Sequence, residues 1–347
     1  MTLNKTMPNT QFLKACNLQT TDHTPIWLMR QAGRYMKEYQ AVRKHVKFLD
    51  LCKNPELCAE VTLTAREKLS VDAAIIFSDI LLIANTLGLE VVFKEPGGPS
   101  IINPVRSVKD IDLFKAPDVL NDLSYVFEAL KITRKSLPTD ISLIGFAGAP
   151  FTLACYIIEG GSSTNYNLTK QLMLGDKEFA HKLLTILTDI TITYLNEQVK
   201  NGADTIQLFD SWVGILSSHN FKELVLPYLI KIRNSMDKSI PFIYFGNGAS
   251  HLYTQIKNIN ATVYSIDWRM DLDTAWDILG HDTAIQGNLD PSILLTDFKT
   301  IKSEVELIFK LINFRPGFIF NLGHGILPKT PFDNVKYLVD LVHSISK

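Results

Sequence analysis

Thr205–Trp212 reads TIQLFDSW: a short apolar run that stops at a carboxylate, a hydroxyl and an indole. Helical periodicity precedes it over Lys177–Val199 and follows it over Phe221–Met236, and then a second apolar run begins, Pro241–Phe245 (PFIYF). Strand–helix–strand spacing of this kind predicts a parallel sheet. The unit recurs in both directions. Further apolar runs stand at Pro25–Met29 (PIWLM), Ala73–Phe77 (AAIIF), Ile141–Phe146 (ISLIGF), Thr262–Ile266 (TVYSI), Thr283–Gln286 (TAIQ) and Gly317–Asn321 (GFIFN), eight in all. Few alternate with polar residues, so they read as strands buried on both faces. Helical patterns fill Pro55–Leu69, Ser124–Leu137, Thr274–Leu279, Ile301–Leu311 and Asn334–Ile345. Eight units ending on a helix predict an α/β chain folded as a (β/α)8 TIM barrel. A doubly wound open sheet is the runner-up and would normally use fewer strands. No linker, repeat or composition break divides residues 1–347, so one barrel domain with extra N-terminal and loop elements is expected. Leu89–Ile102 looks like a hairpin turning near Pro96–Pro99, and residues 160–176 look like a polar cover over the barrel top.

The chain is long enough to bury a large core. Its 35 basic and 36 acidic residues leave a net charge of −1, which argues against a nucleic-acid partner. The N-terminus lacks an apolar signal region, and no apolar run approaches the ~18–20 residues that span a bilayer. A cytoplasmic protein without a membrane partner is expected. Cys16, Cys52, Cys58 and Cys155 are too few for a disulfide framework and read as reduced, buried thiols.

Barrel active sites sit at the C-terminal ends of the strands. Those ends carry Arg30–Arg34, Ser78–Asp79, the run Gly145–Pro150 leading to Tyr156, Asp210–Trp212, Gly246–Gly248, Asp267 with Arg269, Gly287–Asp290, and Asn321–Gly325. The stretch Trp27–Phe48 holds Arg30, Arg34, Lys37, Arg43, Lys44 and Lys47 against the single acid Glu38, a local cationic field in a neutral chain. Arg30 and Arg34 are four apart, which in a helical turn aims both to one side. Guanidinium forks suit carboxylates or phosphates; the plainer reading is a solvated face. Asp79 ends a very apolar strand, where a carboxylate serves as a base, as an acceptor for N–H donors, as a stabiliser of positive charge, or simply as a helix cap. His324 is the one histidine of eight that follows a strand between glycines; the others read as loop or surface residues. Tyr156 and Ser211 are weaker candidates. No phosphate loop, dinucleotide fingerprint, H-E-x-x-H or Cys-His ligand pattern occurs, and no Lys directly follows a strand. The site is expected to hold neither metal nor cofactor.

At this point the motifs match a known family. Arg30-Gln31-Ala32-Gly33-Arg34-Tyr35 resembles the N-terminal signature of the uroporphyrinogen decarboxylases, and Gly145–Ser163 (GFAGAPFTLACYIIEGGSS) resembles their second. IFSDI at 76–80, FDSW at 209–212 and GHGI at 323–326 match further family segments in order. The resemblance covers the chain from about residue 10 onward. It implies a homodimeric, cofactor-free (β/α)8 barrel that decarboxylates the four acetates of uroporphyrinogen III to give coproporphyrinogen III for haem synthesis. It places the substrate loop on Arg30, Gln31, Ala32, Gly33 and Arg34, and the pyrrole-binding carboxylate on Asp79. Tyr156, Ser211 and His324 complete the set, with a further arginine at Arg43. Asp79, Arg30 and Arg34 carry the catalytic reading. The alternatives are a cobalamin-linked zinc methyltransferase of related fold, whose His-x-Cys ligand set is missing, and a silent tetrapyrrole carrier, which would not need the intact acid and arginines.

Overall fold

The structure, a computed structural model, describes residues 8–94 and 98–346. Among the described residues nine strands are formed: β1 (Ala73–Ile75), β2 (Val91–Lys94), β3 (Gly98–Ile101), β4 (Ser142–Gly148), β5 (Thr205–Asp210), β6 (Phe242–Gly246), β7 (Val263–Ser265), β8 (Ala284–Leu289) and β9 (Phe318–Leu322). Seven make one parallel sheet in the order β1-β4-β5-β6-β7-β8-β9. Each neighbour in the sheet follows its predecessor through helical crossovers, the connection a parallel pair requires. The β2–β3 pair is the expected antiparallel hairpin; of its anticipated turn, Pro96 and Gly97 lie outside the described residues. The long crossover helices Pro55–Leu69, Ser124–Ser136, Lys177–Lys200, Phe298–Ile312 and Phe332–Ile345 stand where periodicity placed them. The expected polar cover at 160–176 is not all loop, since Asn167–Gly175 is a helix. Among the described residues, no helix is long and apolar enough to cross a membrane.

Pro25–Met29 is not a strand. Only Ile26 makes a bridge, parallel to Phe320 of β9. The reason lies in where its N–H groups go. Pro25 has none, Ile26 N–H donates to Asp72 Oδ2 (2.7 Å), Leu28 N–H to Gln31 Oε1 (3.3 Å) and Met29 N–H to Asn321 Oδ1 (3.1 Å). Side chains take donors that a ladder would use. The segment still touches both ends of the sheet order: Phe320 N–H donates to the Pro25 carbonyl and Asp72 N–H, just before β1, to that of Ile26, each at 2.9 Å.

The helix Gln11–Cys16, capped by Thr10, buries Phe12, Leu13, Ala15 and Cys16. These cluster with Ala73, Ile144, Ile243, Val263, Ala284 and Ile319, residues in the N-terminal halves of the strands. Burying Phe12 and Leu13 stabilises by roughly 1.5–3 kcal/mol each. The helix therefore covers the end of the sheet away from the site. Inside the sheet a buried polar chain links strands: Trp27 Nε1–H donates to Gln286 Oε1 (2.7 Å), and Gln286 Nε2–H to Ser265 Oγ (3.0 Å) and Gln207 Oε1 (3.2 Å). All four cysteines are buried free thiols, and burial pushes their pKa values up.

Candidate active site

Arg30 begins the site. It does not lie in a helix: residues 29–35 are turns and bends, and the helix Lys37–Arg43 starts only afterwards. Four-residue spacing therefore does not align Arg30 and Arg34 along a helix face. Arg30 instead adopts φ +62°, a left-handed conformation that costs a non-glycine residue about 1 kcal/mol or more. Its neighbours fix the turn. Gln31 N–H donates to the Leu28 carbonyl and Ile326 N–H to that of Met29, both at 2.9 Å. The Tyr35 hydroxyl donates to the Gln31 carbonyl (2.6 Å). The Arg30 side chain then lies flat against Gly325, where an added Cβ would come within 2.7 Å of Arg30 Cγ and 2.9 Å of Nε. Glycine is required there by that close approach. Solvent reaches Arg30 from the mouth, yet protein surrounds enough of it to pull its pKa down, against the opposing pull of Tyr156 and Asp79.

Asp79 faces this arginine. It follows β1 and caps the 3₁₀ helix Ile80–Leu87, with Oδ1 accepting the Leu81 N–H (2.8 Å). The cap reading holds through Oδ1, and among the described residues Oδ2 takes no hydrogen bond. Burial pushes the Asp79 carboxyl up to about 6, against the Leu81 N–H and the Arg30 charge, which hold it down. Near neutral pH it is mostly an anion held in a poorly solvating place.

Tyr156 projects from the helix Pro150–Glu159, and Ser211 follows β5. One buried carboxylate joins these two elements. Asp210 accepts from Thr152 Oγ1 (2.7 Å) and from the Tyr244 hydroxyl (3.0 Å), while Thr152 Oγ1 accepts the Trp212 N–H (3.2 Å). Burial pushes Asp210 up to about 6 as well. Burial also raises Tyr156, which feels the charges of both Asp79 and Arg30, so its phenol stands beside them as a neutral donor. His324 meets the Phe245 ring edge to face, centroids 6.0 Å apart. Burial first, then Arg30 and Arg269, pull it down to about 4, with Asp267 opposing; it is neutral near pH 7.

Arg30, Asp79, Tyr156 and His324 are thus one electrostatically coupled group, with Arg34 beside Arg30 and exposed. The remaining sequence candidates sit differently. The Gln31 side chain is buried and bridges the Leu28 N–H and the Ala73 carbonyl, fastening the loop to β1. Ala32 packs partly against the core, and at Gly33 a Cβ would meet the Arg30 carbonyl at 3.1 Å. Arg43 is engaged at its own helix end, donating to the Val46 carbonyl and lying 5.8 Å over the Phe48 ring.

One grouping escaped the sequence, and another showed there only as a polar strand end. At the end of β7, Asp267, Trp268 and Arg269 join the His324 side of the mouth; the signal was a charge pair directly after an apolar run. At the opposite end, His23 and His343 are not surface residues. Their Nε2 atoms meet Asp72 Oδ1 and Oδ2, both at 2.9 Å, and the rings stand edge to face 4.8 Å apart. Those hydrogen bonds hold Asp72 at about 2 against its burial. The three ligand-type atoms lie within 4.8 Å of one another, a grouping of metal-ligand types at the end of the fold away from the mouth.

The mouth can therefore bind a polyanion through guanidiniums while one carboxylate faces a nitrogen-bearing or cationic centre. Comparison with known proteins gives the family. The profile of the family Uroporphyrinogen decarboxylase (URO-D) matches residues 7–345. The uroporphyrinogen decarboxylase of Carboxydothermus hydrogenoformans is 45% identical over 97% of each chain, and that of Koribacter versatilis is 46% identical over 98% of this chain and 97% of its own. Among solved structures, a methyltransferase from Methanosarcina mazei superposes with a TM-score of 0.80 at 20% identity, covering 98% of this chain and 99% of its own, a likeness of fold alone. By profile, identity and coverage together, the chain belongs to the uroporphyrinogen decarboxylase family.

Proposed function

We propose that this chain decarboxylates the four acetate side chains of uroporphyrinogen III in turn, releasing coproporphyrinogen III, with its own residues and no cofactor. The observation that carries the reading is the coupled set of Arg30, Asp79, Tyr156 and His324 in a chain of this family. Decarboxylation leaves an electron pair that needs a sink. A pyrrole protonated on carbon is one: as the bond to the carboxylate breaks, its electrons enter the ring and carbon dioxide leaves. The methylene so formed then takes a proton to become a methyl group, and the ring proton is returned. Asp79 Oδ2 accepts from the pyrrole N–H and offsets the ring's positive charge. Arg30 and Arg34 hold substrate carboxylates, with Arg43 on the outer edge, and the backbone of Gln31, Ala32 and Gly33 sets the loop. Tyr156, Ser211 and neutral His324 offer polar contacts to the macrocycle.

The chain 1–347 works as one (β/α)8 barrel, with Pro25–Met29 as the eighth stave; the bonds from Ile26 toward both sheet ends support this. The family resemblance supports a cytoplasmic homodimer. The methyltransferase reading is disfavoured because all four thiols are buried and raised. Anaerobic turnover of uroporphyrinogen III, followed by oxidation and separation of the porphyrins by carboxylate number, tests the proposal. Four-carboxylate product through seven-, six- and five-carboxylate intermediates is expected, before and after exhaustive chelation. No loss of carboxylates, or activity only with added metal, would sink it.

A further inference from the structure

Arg269 follows β7 on a scaffold of its own. One nitrogen, Nη1, donates to Asp267 Oδ2 (3.1 Å) and Asn247 Oδ1 (3.2 Å), and the guanidinium lies 4.0 Å over the Trp268 ring. The loop beneath is pinned by Asn288, whose Nδ2 donates to the carbonyls of Asp267 (2.9 Å) and Met270 (2.7 Å). Despite three supports the Arg269 side chain is 47% exposed, whereas that of Asp267 is 1% exposed. Asp267 does not depend on the guanidinium, since it also accepts the backbone N–H groups of Gly248 and Arg269. Among the described residues, Nε and Nη2 of Arg269 donate to nothing. An oriented, half-exposed fork with a free two-donor edge suits a bidentate carboxylate.

Its place matters as much as its chemistry. Arg30, Arg34 and Arg43 all come from the chain between Met29 and the end of the Lys37–Arg43 helix, where the sheet passes from β9 toward β1. Arg269 stands two strands away, after β7, against the far side of the His324 loop: a Cβ at Gly323 would lie 3.0 Å from the Asp267 carbonyl carbon. A macrocycle with carboxylates around its whole rim cannot be neutralised from one flank.

Resting on the function proposed above, we infer that Arg269, held by Asp267, Asn247 and Trp268, is a second carboxylate-binding station, gripping a side chain of a pyrrole other than the one over Asp79. The lowered pKa of His324, to which Arg269 contributes, fits a cation on that flank.

The test uses Arg269→Gln and Arg269→Lys in the full-length protein. Asp267 keeps its two backbone donors in both, so the loop retains its anchor. Two readouts are taken: kcat and KM for uroporphyrinogen III, and the dissociation constants of oxidised, unreactive uroporphyrin and coproporphyrin by fluorescence quenching. Losing a charge-assisted bidentate contact weakens binding by about tenfold or more. For Arg269→Gln we expect KM to rise by about that factor with kcat nearly unchanged, and uroporphyrin to lose more affinity than coproporphyrin. Arg269→Lys restores part of both. Binding and KM unchanged in Arg269→Gln would overturn the inference and leave Arg269 as loop support. A fall in kcat alone, unrescued by Lys, would also overturn it, pointing to positioning of His324. Failure of the unaltered protein to turn over uroporphyrinogen defeats the parent reading instead, and the porphyrin affinities still judge Arg269 by themselves.

Discussion

Asp79→Asn should make the protein more stable and nearly inactive, and the structure sets both magnitudes. Asn keeps the shape and still accepts the Leu81 N–H, so the cap of Ile80–Leu87 survives. What it removes is a charge that the folded state holds badly. Burial raises the Asp79 carboxyl from 3.8 to about 6. Between those values the folded chain binds a proton that the unfolded chain releases, so stability falls as pH rises through that window. Below about 3.9 the aspartate costs nothing relative to Asn; above about 6 the whole cost is present. Two units correspond to about 3 kcal/mol, which partial exposure at the mouth reduces to roughly 1–2 kcal/mol. For a chain of this size that is about 1.5–3 °C in Tm at pH 7. Turnover, by contrast, should drop about 10²-fold or more with loss of a preorganised charge. The acid limb of kcat/KM near pH 6 should vanish with it. The assays are paired melts of variant and parent from pH 7 to pH 4, and anaerobic porphyrinogen turnover over the same range. A variant no more stable at pH 7 than at pH 4, relative to the parent, would refute the desolvation argument. Near-normal turnover would refute the role.

Three further outcomes follow from particular contacts. Gly325→Ala puts a Cβ within 2.7 Å of Arg30 Cγ, so kcat/KM should fall by about tenfold or more while the fold survives; unchanged kinetics would mean the Arg30 position is not critical. Arg34→Lys keeps charge but loses the fork and should cost about one to two decades in kcat/KM, whereas Lys37→Ala, exposed on its helix, should be mild; equal effects would reduce the segment to a diffuse field. Asp72→Asn removes a carboxylate that His23 and His343 hold at about 2; its stabilisation exists above the unfolded pKa and is lost as pH falls through about 2. We expect roughly 2 kcal/mol lost at pH 7 in urea titrations, with the gap to the parent closing below about pH 4; a pH-independent gap would contradict the linkage.

The sheet was legible because strands buried on both faces read as apolar runs ending where polar chemistry starts, and seven of eight such runs became its strands. Pro25–Met29 has the same composition and failed for a reason composition cannot carry: three of its four N–H groups are claimed by the side chains of Asp72, Gln31 and Asn321, two of them far away in sequence, and only that of Trp27 reaches β9. Arg30 and Arg34 were legible as a cationic pair, but their arrangement was not, since spacing speaks for direction only inside a helix and Arg30 occupies a left-handed turn. Asp267 and Arg269 were visible at a strand end, yet the scaffold that aims Arg269 comes from three different strands and surfaces only in the fold.

The glycines around His324 marked it in the sequence, and the structure supplies the reason they are there. Neither Gly323 nor Gly325 adopts a positive φ. What each provides is the absence of a Cβ. At Gly323 that lets the Asp267–Trp268 backbone approach, with the Asn288 carbonyl 3.1 Å from where a Cβ would be. At Gly325 it lets the Arg30 side chain lie against the loop. One glycine thus admits the support of Arg269 and the other admits Arg30, and His324 sits between. The same two vacancies bring a guanidinium to each side of an imidazole; burial first, and those two charges after it, hold that imidazole neutral near pH 7. A neutral imidazole in this place can orient and donate one hydrogen bond to a substrate, the part given to His324 in the function proposed above.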